Sequence, residues 1–136
     1  MGRILALDIG SRRIGVSMSD PMQIIASPFS VIDCKLSKDI FSDILGIIES
    51  YSIESVVIGM PITMKGEESI QTKTVKKFIE DFSKLISVKI YTIDERLSSV
   101  SAEKELIKSG IKTGHNKGEI DKTAATLILQ EFLASQ

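Results

Sequence analysis

Asp8, Asp94, Glu95 and Asp121 are the residues of this chain whose types and settings point to chemistry. Asp8 interrupts an otherwise apolar stretch, Arg3-Ile4-Leu5-Ala6-Leu7-Asp8-Ile9-Gly10. Such a run reads as a strand buried on both faces, the kind found at the middle of a sheet. Side chains alternate along a strand, so Asp8 shares a face with Ile4 and Ala6. A carboxylate held there loses solvation, at a cost of several kcal/mol unless a cation or hydrogen-bond donors meet it. A structural aspartate accepting turn amides would give the same pattern, so position 8 alone leaves both readings open. Asp94 and Glu95 close a second apolar run, Val88 to Ile93. Asp121 aligns with Ala125, Ile128 and Phe132 at i+4, i+7 and i+11, the inward stripe of a helix. An acidic residue in a first helical turn also stabilises the helix dipole by ~0.3–1 kcal/mol, which is the plain alternative for Asp121.

Convergence of these groups would have consequences. Two carboxylates ~5 Å apart repel by about 3 kcal/mol at an effective dielectric near ~20. Three together need protons or a cation. Oxygen ligands without histidine or thiolate favour Mg²⁺ or Mn²⁺, and a pair of such ions activates water and stabilises the leaving oxygen in phosphodiester cleavage. Basic residues stand beside the acidic ones. Arg12 and Arg13 follow Asp8, Arg96 follows Glu95, and Lys112, His115, Lys117 and Lys122 surround the segment leading into Asp121. Singly, each reads as a solvated surface charge. Together they would offer an anionic substrate positive flanks around a metal-loaded centre. His115 could assist proton transfer or simply be exposed.

The elements that must position these residues follow from periodicity. After the opening strand, Ile14 to Ser19 alternates apolar with small or polar residues, as a hairpin partner would. Asp20-Pro21 breaks it, and Ile24-Ile25-Ala26 with Phe29 to Ile32 predicts a third strand, placed at an edge by Pro28. Ser37 is read as the N-cap of a helix carrying Ile40, Ile44, Ile47, Ile48 and Tyr51. Ile53 to Gly59 is a second fully apolar strand, parallel to the first after a helical crossover. Pro61 to Gln71 reads as a polar loop. The next helix presents Val75, Phe78, Ile79, Phe82, Leu85 and Ile86 on one face. Val88 to Ile93 is the fifth strand. Ser98 or Ser99 caps a helix running to about Ser109, residues 110 to 118 form a glycine- and lysine-containing loop, and a last helix spans about Glu119 to Leu133. Three meandering strands and two crossover units give an α/β fold with a five-stranded mixed sheet of order 3-2-1-4-5 and helices on both faces. Ligands of such sheets collect at the carboxyl ends of the parallel strands, where Asp8, Gly59 and Asp94-Glu95 stand.

The 136 residues fit one domain, 1–136, with a real core. Hydrophobic residues at 43% and charged ones at 26% are an ordinary soluble composition. No apolar run approaches the ~20 residues of a membrane span, and the chain enters its first strand without a signal-peptide pattern. The single cysteine, Cys34, makes no internal disulfide. The expected location is the cytoplasm. A net charge of −1 makes no global case for nucleic acid, so any such case rests on local basic clusters.

Four motifs in order, Asp8-x-Gly10-x-x-Arg13-x-Gly15-Val16-x-x-Ser19-Asp20, Gly59-Met60-Pro61, Asp94-Glu95-Arg96-Leu97 with Ala102, and Asp121-x-x-Ala124-Ala125, resemble the YqgF family. Those bacterial proteins have an RNase H-like fold and are described as Holliday junction resolvases and as pre-16S rRNA nucleases. The resemblance spans essentially the whole chain. It implies that Asp8, Glu95 and Asp121 form an acidic metal site for Mg²⁺ or Mn²⁺, and that Arg13, Arg96 and the 110–118 loop face the substrate. It departs at Met60, where leucine is usual, and at Ser98-Ser99, where a threonine is common. The expected partner is nucleic acid, precursor rRNA first and branched DNA second, with the protein a monomer or weak homodimer and no membrane involved. Two readings from other classes compete. A nucleotide-binding relative of the actin and hexokinase proteins would also begin with an Asp-x-Gly strand end, but the chain seems short for the lobe that closes on ATP. A non-catalytic RNA-binding module would bind with chelator present and show a marked salt slope.

Overall fold

The apolar runs become five strands, and their alternation decides which helix each face meets. The computed structural model describes residues 2–61, 69–95 and 117–136, the last stretch with side chains from residue 121. In chain order these form β1 (Arg3–Ile9), β2 (Arg13–Ser19), β3 (Ala26–Asp33), α1 (Ile40–Ser50), β4 (Ile53–Met60), α2 (Ile70–Ser83), β5 (Lys89–Asp94) and α3 (Lys117–Ala134). The sheet order is β3-β2-β1-β4-β5, as expected, with β1 at its centre. β1 pairs antiparallel with β2 and parallel with β4, and β4 pairs parallel with β5. Pro28 lies on the edge strand β3, opposite a register shift between Val16 and Ser17, where a missing amide costs no central ladder bond.

Leu5, Leu7 and Ile9 of β1 face the side covered by α1 and α2, in a core with Val16, Ile44, Ile58, Val75 and Phe82. Ile4 and Ala6 face the other side, against Val57 and the α3 residues Ile128, Leu129 and Phe132. The period of two therefore places Asp8 on the α3 side. Small residues let α3 lie close. Ala124 and Ala125 are buried at the contact, and Ser17 Oγ donates 2.9 Å to the Ala125 carbonyl.

Three boundaries differ from expectation. Asp39, not Ser37, caps α1, its Oδ1 accepting from the Ser42 amide at 3.2 Å, while Ser37 Oγ donates to Asp43. Ile24 and Ile25 are exposed and belong to a turn, because Asp20 gathers their amides and that of Met22 before the strand begins. The α2 helix opens at Ile70, capped by Ser69, and closes at Ser83, so Leu85 falls past its end and is exposed. The helix expected over 98–109 and residues 110–116 of the loop expected over 110–118 lie outside the described residues, whereas 117 and 118 belong to α3.

Candidate active site

Asp8 sits one residue before the end of β1, directly across from Gly15 on β2. Cross-strand partners have Cα atoms roughly 4.5–5.5 Å apart. Gly15 is itself covered by the first turns of α3. A Cβ added there would overlap the Asp121 carbonyl and come within 3.2 Å of the Asp121 Cα. The backbone of α3 thus lies on β2 at the one position with no side chain, and Asp121 arrives on the face and at the level of Asp8.

On the other side of β1, the Leu7–Ile58 pairing brings Gly59 of β4 next to Asp8. Glu95 follows directly after β5 and is buried, 6% exposed. A Cβ at Gly59 would lie 2.9 Å from Glu95 Oε1 and 2.6 Å from Ile128 Cδ1. The glutamate thus occupies the space above Gly59, one strand spacing (~4.8 Å) from β1. Asp94 ends β5 with its side turned toward Met60 and the opposite core, so alternation separates it from Glu95.

The basic residues divide. Arg12 and Arg13 are neighbours in sequence but diverge in space. Arg13 Nε donates to Asp121 Oδ2 at 2.7 Å, both side chains being largely sheltered. Arg12 turns to Asp33 at 3.7 Å with its side chain 53% exposed, a rim pairing of small energetic worth. Lys122 follows Asp121 on α3 and is half-buried. Lys117 opens α3, though its side chain, with Arg96, Lys112 and His115, lies outside the described residues. At the same end of the sheet, Gln71 of α2 donates to the Ile9 carbonyl at 2.6 Å, and Thr72 Oγ1 donates to the Pro61 carbonyl. These bonds tie the β1 and β4 exits to α2.

The donor set is all oxygen, which suits a hard divalent cation. Among the described residues no group of three or more histidine, cysteine or carboxylate side chains is gathered tightly enough to hold a metal ion. Mg²⁺ does not require one, since it keeps several waters and takes one or two carboxylates plus substrate phosphate oxygens. Gly59 makes room for the Glu95 carboxylate and Gly15 for the Asp121 backbone, and the Arg13 bond engages one Asp121 oxygen, which suits an ion taking one or two carboxylates. The roles of these two glycines escaped the sequence reading. Their trace was the alternation of Gly15, Ser17 and Ser19 with Ile14, Val16 and Met18, a strand face kept small for a helix rather than for solvent.

Comparison with known proteins gives the family and the fold. A family model described as "RuvX: Holliday junction resolvase" matches residues 2–135. A protein of Roseiflexus sp. (strain RS-1) named "Putative pre-16S rRNA nuclease" is 41% identical over 135 residues, which cover 99% of this chain and 96% of that protein. One of the same name from Maridesulfovibrio salexigens is 36% identical over 132 residues, covering 97% and 98%. Among solved structures, T. thermophilus RuvC in complex with a Holliday junction substrate superposes with a TM-score of 0.61 at 12% identity, covering 99% of this chain and 95% of that one. Fowlpox virus resolvase with Holliday junction DNA gives 0.56 at 11% identity, covering 98% and 97%. At such identities these structures speak for the shared RNase H-like fold alone. Matched over residues 2–135 by the family model and by relatives at 36–41% identity, this chain belongs to the RuvX family, also called YqgF, and is a nuclease of RNase H-like fold.

Proposed function

We propose that this nuclease cleaves structured nucleic acid with Asp8, Glu95 and Asp121 as its acidic set, and that precursor rRNA is its preferred substrate. The observation that carries the reading is the arrival of all three positions on one side of the sheet, at the carboxyl ends of the parallel strands. Asp8 lies between Gly15, which is roofed by Asp121, and Gly59, which is roofed by Glu95. The names of the relatives favour rRNA. The family description favours four-way DNA junctions, the second reading. Processing of precursor rRNA would place the protein in the cytoplasm. Among the described residues, no helix is long and apolar enough to cross a membrane.

Mg²⁺ or Mn²⁺ held by these carboxylates would supply Lewis-acid activation of water and neutralise charge at the phosphate. The chain's own contribution is placement. Asp8 rides on a strand paired on both sides, which holds a carboxylate more tightly than a loop can. Glu95 is buried, and Ile128 beside it keeps bulk water from that side. Arg13 bonds Asp121 directly, and Lys122 follows Asp121 on α3. Arg12 stands on the rim, and Arg96, Lys112, His115 and Lys117 complete the substrate-facing set.

The test compares wild type with Asp8→Asn on precursor rRNA and on four-way junctions, with Mn²⁺ and with chelator. The variant should melt like wild type and lose cleavage by on the order of 10²–10³-fold, the loss of several kcal/mol of transition-state stabilisation. Retained cleavage by a pure preparation would remove Asp8 from the site. Preference for the junction over the rRNA, with a dimer in solution, would transfer the assignment to the second reading.

A further inference from the structure

We propose that Arg13 is the positioning residue of the acidic site: it orients the Asp121 carboxylate for metal, rather than serving only as a contact for substrate phosphate. The inference rests on the reading of Asp121 as a metal ligand.

Both ends of the Arg13–Asp121 bond are fixed by backbone features. Arg13 opens β2 immediately after a tight turn in which the Gly10 amide donates to the Arg13 carbonyl at 3.0 Å. A Cβ on Gly10 would lie 2.6 Å from that carbonyl, so the turn depends on glycine. Asp121 is held from below by Gly15, two residues further along the same strand. Arg13, Gly15 and Ser17 share one face of β2, and they meet Asp121, the backbone of Asp121 and the carbonyl of Ala125 in turn. The partners are 108 positions apart in sequence, and the backbone of each is held at a glycine.

The contact itself has a direction. Arg13 donates through Nε to a single oxygen, Oδ2, which leaves Oδ1 for a hard cation. A carboxylate ligand whose second oxygen accepts a fixed hydrogen bond keeps one rotamer, and loss of such a partner typically weakens metal binding by ~10–100-fold. The guanidinium's remaining N–H groups can meanwhile meet a phosphate, which a lysine bonded to Asp121 would do less well. A purely competitive role, with Arg13 as a counter-ion that metal must expel, makes the opposite prediction. There, removing the charge would tighten metal binding.

The experiment is Mn²⁺ titration by calorimetry on the full chain without nucleic acid, comparing wild type, Arg13→Met, Arg13→Lys and Asp121→Asn. Thermal melts of the same samples show whether each variant is folded. Arg13→Met keeps the aliphatic stem and loses the donor; it should bind Mn²⁺ about tenfold or more weakly. Arg13→Lys keeps charge and stem without the Nε geometry, and should also bind Mn²⁺ more weakly than wild type. A role confined to fold stability would lower the melting temperature and leave Mn²⁺ affinity unchanged. Should Arg13→Met prove unfolded, the Lys variant decides. Wild-type or tighter Mn²⁺ binding by the folded Arg13 variants, with binding lost in Asp121→Asn, would overturn the positioning role and leave the acidic site standing. Unchanged binding in Asp121→Asn would overturn the site, and the role with it.

Discussion

Gly59→Ala adds one methyl group at the point where β4, α3 and Glu95 meet, and its consequences can be worked from the distances. The new Cβ would lie 2.6 Å from Ile128 Cδ1 and 2.9 Å from Glu95 Oε1, where ordinary contact begins at 3.4 Å. Ile128 must therefore yield about 0.8 Å and the glutamate oxygen about 0.5 Å, or the surrounding core must absorb the strain. Ile128 is fully buried, so its Cδ1 can turn about χ2 only into packed surroundings, and its Cγ1, 3.2 Å from the new Cβ, is held by the χ1 rotamer that dominates for a β-branched helical residue. Overpacking of this kind costs roughly 1–3 kcal/mol, offset by roughly 0.5–1 kcal/mol from replacing a strand glycine. The urea midpoint should fall by roughly 0.5–1 M for a chain of this size. If Glu95 acts in cleavage, displacing its oxygen should reduce the rate by about tenfold, given that ~1 Å misplacements can cost 10²-fold.

The second mutation, Ile128→Val, separates the two effects. It deletes Cδ1 and alone should cost about 0.5–1.5 kcal/mol. In the Gly59→Ala background it removes the worse clash, so the double variant should be more stable than the sum of the singles by at least about 0.5 kcal/mol. Cleavage should stay low, because the Glu95 contact remains. Urea unfolding and Mn²⁺-dependent cleavage of one RNA substrate measure both quantities on the same four proteins. Wild-type stability and cleavage in Gly59→Ala would refute the packing argument, and recovery of cleavage along with stability in the double variant would refute the role given to Glu95.

Two further perturbations test the frame around the site. Ser17→Ala removes a buried hydroxyl that donates 2.9 Å to the Ala125 carbonyl, and should lower unfolding free energy by about 1–2 kcal/mol; an unchanged urea midpoint would mean that α3 is seated without it. The Asp20 carboxyl is held below the usual carboxylate range by the amides of Ile25 and Ile24, and then of Met22. With the folded value depressed, its contribution is present above the unfolded pKa near ~4 and is lost as pH falls through the folded one. Asp20→Asn should therefore flatten the acid-side decline in stability, read as urea midpoints between about pH 3 and pH 6; an acid limb as steep as wild type would remove Asp20 from that decline.

What could be read from the sequence divides along a physical line. Strand order, the burial of β1 and the inward face of Asp121 rest on periodicity, which is local and repeats over many residues. The α1 cap rests on one residue among near equals. Ser37 and Asp39 both suit the position, and the choice falls to Asp39 because its backbone is extended at φ −153° while Ser37 engages Asp43. Ile24 and Ile25 look like strand because they are β-branched, yet three amides drawn to Asp20 bend that segment first. The small face of β2 is a local trace of Gly15, but which remote group fills the space over Gly15 or Gly59 is not local. Gly15 makes room for the Asp121 backbone and Gly59 for the side chains of Ile128 and Glu95, all distant in the chain. The divergence of Arg12 from Arg13 was available in principle, since adjacent residues at a strand start point to opposite sides.

The seating of α3 explains how this helix can carry the carboxylate proposed for the site. Beside the packing of Ile128, Leu129 and Phe132 on Ile4 and Ala6, three contacts fall at small residues of the sheet: the Asp121 backbone on Gly15, the Ala125 carbonyl on Ser17, and Ile128 on Gly59. Two of the points lie on β2 and the third on β4, the strands flanking β1 on either side. These contacts and the packing on β1 set the helix's tilt and its position along its axis together, so the Asp121 backbone has little travel relative to Asp8. The Arg13 bond then selects the rotamer of a side chain whose backbone is already placed. On this reasoning, changes that loosen any one contact should act on the site through displacement of Asp121, and they should cost metal affinity before they cost the fold.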